Sequence, residues 1–498
     1  MVEPGTECTN IDCPSNSGNE PASIKKRGKT PKGNQRYLCN VCGTSFTGKV
    51  FIWKHSKTYL NKFIFKLLVS RTPFRRIADV FDISMGLLYR RIDYIHKQCL
   101  AFVAERERNL INKKYDRLYL CTDRQVHISN WTNRKEKQNC EFYAIGTADL
   151  ESGYILAYNF NYDADIEPTE LERLAAESGD MDKLKHHREF ARAWVRSDFE
   201  DIKVAKGNKY PAKGASLQED LENQVAFNQQ FDPEESSELF NKTHQMPIEG
   251  VEIHNEYTMA AHFFLLKRFA SGAEKTRFFM DQDAGMKNWY IAAFKEEIAE
   301  GRSDGITVTM KKELTVDEKR KIALERENLI GQFAGRSFRS MSSFEQDEAI
   351  RGMILQSMEN PVRLRNDSSV WVYNPTPSMN DVDKSLAACT NIDRYDADHQ
   401  VNLYKKASLH AIDRFFMQIR RRVSIFERPT KSGNRNEGTW YGYQPYKPEL
   451  FVKLGDIFRV YYNYCQPDNK NKTTPAMKLG LAKGPVAVER IIYFNRYN

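Results

Sequence analysis

Four of the nine cysteines lie near the start of the chain as two close pairs, Cys8 with Cys13 and Cys39 with Cys42. Structural zinc sites need four soft ligands at the corners of a tetrahedron, and two short cysteine loops supply them. Gly43 follows the second pair directly and suits the tight turn of such a loop. We therefore predict a zinc ribbon over residues 1–48, in which these four thiolates hold one structural Zn²⁺.

Two aspartates further along the chain each follow an apolar run that is typical of a β-strand. Asp123 comes after Leu118–Thr122, and Asp281 comes after Thr276–Met280. Carboxylates at the ends of neighbouring strands can bind two divalent ions, which lie about 4 Å apart in such sites and promote in-line attack on a phosphodiester. We therefore predict that both aspartates are metal ligands. Asp283 is the rival to Asp281, and we expect it to lie beyond the strand, in a turn.

A third carboxylate, Asp413, lies on a helix predicted over residues 408–428. The apolar residues of this helix fall within one arc of about 100°, which predicts a buried stripe. The stripe consists of Ile412, Phe415, Phe416, Ile419 and Val423. Asp413 lies at the edge of the stripe, and Arg420 falls within about 20° of it. This pattern favours a metal ligand beside a DNA phosphate track that includes Arg420 and Arg421.

Residues 49–113 have the apolar spacing of helices and contain a helix-turn-helix pattern, with Ser84 as the expected N-cap of its second helix. The side chains that we expect to contact DNA are Arg75, Arg76, Tyr89, Arg90 and Arg91. Charge supports this expectation, since residues 1–114 hold 21 Lys and Arg against 9 Asp and Glu, a balance of +12 in a chain of net charge +9. A basic front end on a slightly acidic remainder predicts binding to a polyanion.

The elements that position the aspartates begin at about residue 114. Three β-rich runs predict an antiparallel meander, at residues 118–122, 142–147 and 154–160. Helices and strands then alternate, with a helix at 256–269, a strand at 276–280, a helix at 287–300 and a strand at 306–310.

Two segments interrupt this alternation. Residues 151–250 hold 21 Asp and Glu against 11 Lys and Arg, and the part from 161 to 250 predicts an acidic insertion of helices and loops. Residues 312–405 predict a second insertion, with a helix at 316–333 and a strand near 370–373. The core is therefore expected in two parts, 114–311 and 406–498, and the predicted fold class is α/β multidomain.

Composition and cysteine usage limit the cellular context. The chain has no run of about 20 apolar residues and no basic start followed by an apolar stretch, so we expect neither a membrane span nor a cleaved signal peptide. The remaining five cysteines are scattered without a pairing rhythm, which favours reduced thiols and a cytoplasmic protein.

The chain resembles bacterial insertion-sequence transposases of the DDE type, which have an RNase H-like mixed-sheet core. The segments that carry the resemblance are CTNIDC, QRYLCNVCGTSF, LCTDRQ, FFMDQDAG, AIDRFFMQIRRRVSIFERPT and TTPAMKLGLA. The resemblance implies that Asp123, Asp281 and Asp413 bind two Mg²⁺ (or Mn²⁺) ions in each active site. The third acid of the family is usually Glu, which leaves Glu427 and Glu437 as rivals to Asp413.

The resemblance also implies a function and partners. The ribbon and the helix-turn-helix would bind terminal inverted repeats, and the core would cleave and join DNA. The partners would be double-stranded DNA, at the transposon ends and at the target, and other copies of the chain in a homo-oligomer, but no membrane. The expected location is the bacterial cytoplasm, in association with the nucleoid. The alternatives are a DNA-binding transcriptional regulator derived from a transposase without catalytic activity, and a nuclease that cuts without rejoining.

Overall fold

The computed structural model describes most of the chain. The described residues are 8, 10, 13, 23–29, 35–47, 57–111, 113–130, 139–184, 187–200, 219, 245–311, 314–363, 369–428, 430–431, 439–440 and 442–494. Glu437 and most of the acidic segment 201–244 lie outside the described residues, and so do the expectations attached to them.

A small antiparallel sheet lies near the N-terminus. Its strands are β1 (Ile24–Lys29), β2 (Gln35–Cys39) and β3 (Ser45–Thr47), with β2 in the centre. Tyr37 and Phe46 stack with their ring centroids 5.9 Å apart and form a small core with Ile24 and the cysteines. So small a core buries little apolar surface, so the segment needs further stabilisation, such as a bound metal.

Three helices follow: α1 (Leu60–Leu68), α2 (Phe74–Phe81) and α3 (Met85–Ile111). Asp82, in the left-handed conformation, ends α2. The Ser84 hydroxyl accepts a hydrogen bond from the Leu87 backbone N–H at 3.2 Å, so the predicted cap of the second helix is present. α3 has 27 residues, and is therefore much longer than the second helix that the pattern required.

The other strands and helices follow along the rest of the chain. The strands are β4 (Tyr115–Ser129), β5 (Cys140–Asp149), β6 (Ile155–Phe160), β7 (Tyr162–Asp163), β8 (Val251–Glu252), β9 (Ala273–Asp281), β10 (Ser303–Thr309), β11 (Val362–Arg363), β12 (Val370–Asn374), β13 (Lys384–Ala388), β14 (Thr430–Lys431) and β15 (Thr439–Trp440). The helices are α4 (Pro168–Glu177), α5 (Asn255–Phe269), α6 (Ala284–Ala293), α7 (Lys295–Ala299), α8 (Val316–Ala334), α9 (Ser343–Glu359), α10 (Ala397–Lys406), α11 (His410–Arg422), α12 (Glu449–Val460), α13 (Pro475–Lys478) and α14 (Val488–Ile492).

Eight strands form one mixed sheet in the order β11-β12-β13-β10-β9-β4-β5-β6. β4, β5 and β6 pair antiparallel, as the meander prediction required. β4, β9 and β10 run parallel to one another, and the segments between them contain helices, as parallel crossovers require. The fold is therefore α/β, which agrees with the predicted class at this level.

The apolar residues of α1–α3 belong to the same hydrophobic core as the sheet. α3 packs against α12, and a buried ion pair joins Glu107 to Arg459 with 2.6 Å between Oε1 and Nη1. Phe102 meets Tyr464 edge to face at 5.0 Å. The helical region is therefore packed onto the sheet region along the length of α3.

The two predicted insertions differ in their relation to the sheet. Residues 312–405 supply β12 and β13, and β13 pairs antiparallel with β10, so this segment widens the central sheet. The part of 161–250 that the structure describes contains α4 and β7, and β7 pairs with β8, which directly follows this segment. None of the described helices combines the length and the apolar character that crossing a membrane requires.

Candidate functional site

Asp123 and Asp281 occupy matching positions on adjacent parallel strands. β4 and β9 pair through Thr122 and Met280, and the next residue of each strand is an aspartate. Paired strands are about 4.8 Å apart, and side chains at matched positions project to the same face. Asp123 is 9% exposed, and Asp281 is half-buried as the last residue of β9. Both carboxylates therefore lie at the carboxyl end of the parallel strands.

One detail of the prediction for Asp123 is wrong. The apolar run predicts that Asp123 ends its strand, but β4 continues to Ser129. The reason is that β4 stays paired with β5 through Ser129 and Cys140 after its pairing with β9 has stopped. Asp123 therefore lies where β4 separates from β9, which leaves one side of the strand open. Asp281 ends β9 as predicted.

Helix α11 brings Asp413 to the same edge. Ile412 and Phe416 lie over Gly146, the β5 residue that pairs with Asp123. A Cβ on Gly146 would lie 2.7 Å from Ile412 Cδ1, so the close approach of the helix depends on glycine. Asp413 is half-buried in the first turn of α11. Its charge adds to the burial that raises the pKa of the thiol of Cys121, two residues before Asp123.

The predicted buried stripe of this helix is confirmed. Its five residues are each at most 2% exposed: Ile412, Phe415, Phe416, Ile419 and Val423. The helix is shorter than predicted, because it ends at Arg422 and a 3-10 turn over Ser424–Phe426 follows.

Arg420 lies beside two of the three aspartates. Burial is the main cause that lowers the pKa of its guanidinium to about 10; the charge of Arg428 acts in the same direction, and the charges of Asp123 and Asp413 act in the opposite direction. Arg420 therefore stays protonated at neutral pH. With its amide oxygen turned toward the guanidinium, Gln125 accepts hydrogen bonds from Arg420 Nε and from Nη2, the latter at 2.8 Å.

Gln125 continues into a buried polar chain. The hydroxyl of Tyr158 lies 3.4 Å from the Gln125 amide and 2.9 Å from Nε2 of His127. Burial and, to a smaller extent, the charge of Arg420 lower the pKa of His127 to about 3. A neutral imidazole therefore ends the chain at physiological pH. The network holds one arginine at the carboxylate edge, and of its members only that arginine was predicted from the sequence.

The rival carboxylates have contacts of their own. Asp283 caps α6 by accepting from the Gly285 N–H at 3.2 Å, and its other oxygen pairs with Arg124 Nη2 at 2.5 Å. Glu427 lies beyond α11 and pairs with Arg71, at the start of the helix-turn-helix. Both groups are therefore engaged in holding the fold together.

The donor chemistry of the three aspartates fits Mg²⁺, which prefers carboxylate oxygens. Among the residues that the structure describes, however, the only group of three or more potential ligands close enough for a common ion is the cysteine quartet. The aspartates share an edge of the sheet without meeting at one point. Ion binding there requires the three side chains to close toward one another.

The four predicted zinc ligands do meet. The Sγ atoms of Cys8, Cys13, Cys39 and Cys42 all lie within 4.8 Å of one another. Two of the separations are 3.4 Å, between Cys8 and Cys42, and 3.7 Å, between Cys13 and Cys39. Zn–S bonds of about 2.3 Å at tetrahedral angles place sulfur atoms about 3.8 Å apart, so the arrangement fits one structural metal such as zinc.

The surroundings of Cys8 and Cys42 act on their thiols in opposite directions. The Asn10 N–H donates to Cys8 Sγ at 3.4 Å, and Cys42 Sγ lies 3.2 Å from the Thr44 hydroxyl. Hydrogen bonds with the Thr44 side chain and backbone lower the pKa of Cys42 to about 6, whereas burial raises the pKa of Cys8 to about 12. Gly43 adopts φ +71°, the left-handed turn expected after the second pair.

The predicted DNA-contacting residues of the helical region divide into two groups. Arg75, Arg76 and Arg90 are exposed, and Tyr89 is 37% exposed with its ring edge-to-face against Phe74. Arg421 is likewise exposed on the last turn of α11.

Arg91 is the exception, since it is 1% exposed and burial lowers its pKa. It lies between Leu88 and Ile95 on the buried face of α3, three and four residues away from them. The expectation that Arg91 contacts DNA is therefore corrected. The helical spacing of Leu88, Arg91 and Ile95 was the signal in the sequence that would have placed it inside.

Comparison with protein-family models gives no match, and comparison with curated proteins gives none either. Any functional conclusion therefore depends on the geometry of the chain itself and on the motifs of its sequence.

Proposed function

We propose that the chain is a metal-dependent DNA transposase of the DDE type, with Asp123, Asp281 and Asp413 as the ligands of its catalytic ions. The observation that carries the proposal is the position of the first two. Each directly follows the last paired residues of two adjacent parallel strands, Thr122 and Met280. The aspartate-bearing turn of α11 packs onto Gly146 of β5, the residue that pairs with Asp123.

The sheet supports an RNase H-like core. Five of its strands lie side by side in the order β6, β5, β4, β9 and β10. The first three strands of the chain in this set therefore lie in reverse order, and the last two follow on the other side of β4. β5 alone runs antiparallel to β4, β6, β9 and β10 in this set. The order of acids along the chain, strand, strand and helix, agrees with the same core.

Each residue of the site has a distinct task in this proposal. Bound Mg²⁺ ions would activate a water or a 3′-hydroxyl and neutralise charge on the phosphate. The three carboxylates hold the ions, and the protonated guanidinium of Arg420 pairs with a phosphate oxygen of the strand to be cut. Gln125 fixes the guanidinium in place, so the phosphate is oriented before reaction.

DNA recognition is assigned to the N-terminal part of the chain. The cysteine quartet would hold Zn²⁺ as a scaffold, because four thiolates leave no open position for chemistry. β1 exposes Lys25, Lys26, Arg27 and Lys29 along one edge strand. Together with the exposed arginines of α2 and α3, these cations provide phosphate contacts for the DNA ends.

One experiment separates the three candidate functions. The full-length protein is incubated with Mg²⁺ and a DNA carrying the ends of its own element, together with a target plasmid. A transposase gives element ends joined to the target. A regulator without activity gives bound but uncut DNA, and a nuclease gives cut ends that are never joined, and either of these results rejects the proposal.

A further inference from the structure

A cationic pocket lies far from the carboxylate edge. It has a volume of about 400 Å³ and lies between α3, the π-helical turn after α12 and the loop before α14. Among the described residues, the charged side chains that line it are Arg106, Lys483 and Arg490, and none that lines it is acidic. A concave site with three cations and no anion attracts negatively charged ligands.

The cations of the pocket have no ion-pair partners within the described part of the chain. The nearby carboxylates are already engaged, since Glu107 pairs with Arg459 and Glu489 pairs with Lys62. Arg106 lies over the ring of Phe102 at 5.3 Å. Its Nε is buried and has no hydrogen-bond partner among the described residues.

The loop adds backbone donors to the pocket. The N–H groups of Gly480, Leu481 and Val486 donate to backbone carbonyls. Those of Lys483 and Gly484, which also line the pocket, donate to no acceptor that the described residues provide. Successive free N–H groups in a glycine-containing loop form a common setting for an oxyanion.

We propose that this pocket binds a phosphate group, held by Arg106, Lys483 and Arg490. The forked guanidinium of an arginine can bond to two oxygens of a phosphate at once, and the two other cations of the pocket help to balance the negative charge of the phosphate. The pocket lies beside Lys113, which precedes β4 and bonds to Leu479 O. The lining residues of the pocket include none of Asp123, Asp281 and Asp413, so this phosphate is a different one from that at the carboxylates. The inference stands whether or not the proposed function holds.

The test measures binding of three probes to the full-length, zinc-loaded protein: inorganic phosphate, AMP and a short DNA duplex. The variant is the double substitution Lys483→Ala with Arg490→Ala, because both side chains are exposed and the fold should tolerate their loss. Arg108→Ala, which removes an exposed cation of α3 that does not line the pocket, is the matched control. Calorimetry gives the affinities for the small anions, and fluorescence anisotropy gives that for the duplex.

We expect the double variant to bind at least one probe about tenfold more weakly or worse, while the control binds like the wild type. A loss confined to phosphate and AMP identifies a free phosphate ligand. A loss of affinity confined to the duplex identifies the DNA backbone as the ligand. In that case the slope of log affinity against log salt concentration should also fall by the amount expected for about two phosphate contacts. If the double variant and the control bind all three probes equally, or the wild type binds none of them saturably, the proposal is overturned.

Discussion

Arg420 is a half-buried cation at the site of the proposed chemistry. It pairs with Gln125 and lies beside Asp123 and Asp413. We predict that Arg420→Ala lowers the rate of DNA cleavage about ten- to a hundredfold, because the phosphate loses its positioning while the ions remain. Arg420→Lys should recover only part of the rate, since an ammonium cannot make the paired contacts of a guanidinium.

The measurement is single-turnover cleavage at saturating Mg²⁺. Arg414→Ala is the matched control, because Arg414 lies on the same helix and is exposed. Wild-type cleavage by Arg420→Ala would exclude Arg420 from the site. A loss as complete as that expected for an aspartate ligand would mean that its role goes beyond positioning.

At the level of elements, the zinc ribbon is the part whose stability depends on a bound ion. We predict about one Zn²⁺ per chain by elemental analysis, and its loss in Cys39→Ser, which removes one of four thiolates. Thr44→Val should weaken zinc binding about tenfold, since it removes the hydroxyl beside Cys42 Sγ. Cys389→Ser, outside the cluster, is the control. Full zinc content in Cys39→Ser would refute the four-ligand site.

The two helices of the helix-turn-helix, α2 and α3, give another prediction at this level. Arg75→Ala and Arg90→Ala should each weaken DNA binding, because both arginines are exposed. Each should also lower the slope of log affinity against log salt concentration by the amount expected for about one phosphate contact. Arg91→Ala should act through stability instead, with a lower melting temperature, since Arg91 is 1% exposed. Arg320→Ala, an exposed arginine of α8, is the control.

Anisotropy titrations over a salt series and thermal melts separate these effects. A stable Arg91→Ala protein with weakened DNA binding would contradict the burial of that residue. Unchanged binding in both Arg75→Ala and Arg90→Ala would remove α2 and α3 from the DNA interface.

Strands could be predicted from the sequence where apolar and polar side chains alternate or where most side chains are apolar. β9 is evident from its run Arg277–Met280, and the helix α8 from its cap at Thr315, which accepts from the Glu318 N–H at 3.3 Å. β13 could not be predicted because it begins with Lys384 and Ser385, which carry no strand signal. Lys384 is buried because it donates to Ala407 O at 2.7 Å and pairs with Asp381.

The candidate site was likewise predictable in part. The three aspartates stand out by their place after apolar runs or beside an apolar stripe. The extension of β4 beyond Asp123 could not be predicted, because its buried residues Gln125 and His127 are polar. Polar residues are buried only where partners exist, and those partners, Arg420 and Tyr158, come from distant parts of the chain.

At the scale of the whole molecule, buried neutral histidines tie stability to pH. His262 donates from Nδ1 to Asn159 Oδ1 and accepts at Nε2 from the Thr147 hydroxyl, each at 2.7 Å. Burial lowers its pKa to about 3, like that of His127. Below the ordinary histidine pKa of about 6.5 the unfolded chain takes up protons that the folded chain excludes. The free energy of unfolding should therefore fall as the pH drops.

Below pH 6.5, each of these two histidines lowers the free energy of unfolding by up to about 1.4 kcal/mol for each pH unit. Denaturant unfolding at pH 7, 6 and 5 measures this slope, and His262→Gln should reduce it whatever its effect on stability at pH 7. An equal slope in the variant and the wild type would mean that His262 is protonated in the folded protein.

The central claim is that Asp123, Asp281 and Asp413 together hold the catalytic ions. The most direct measurement compares three variants, in each of which one of these aspartates is replaced by asparagine. Mg²⁺-dependent joining of element ends and DNA binding are measured for each variant. Asp283→Asn is the matched control, since asparagine also caps a helix and only the pair with Arg124 is lost. We predict that the three variants bind DNA normally but form no joined product, while the control retains joining. Joining that persists in all three variants would contradict the claim.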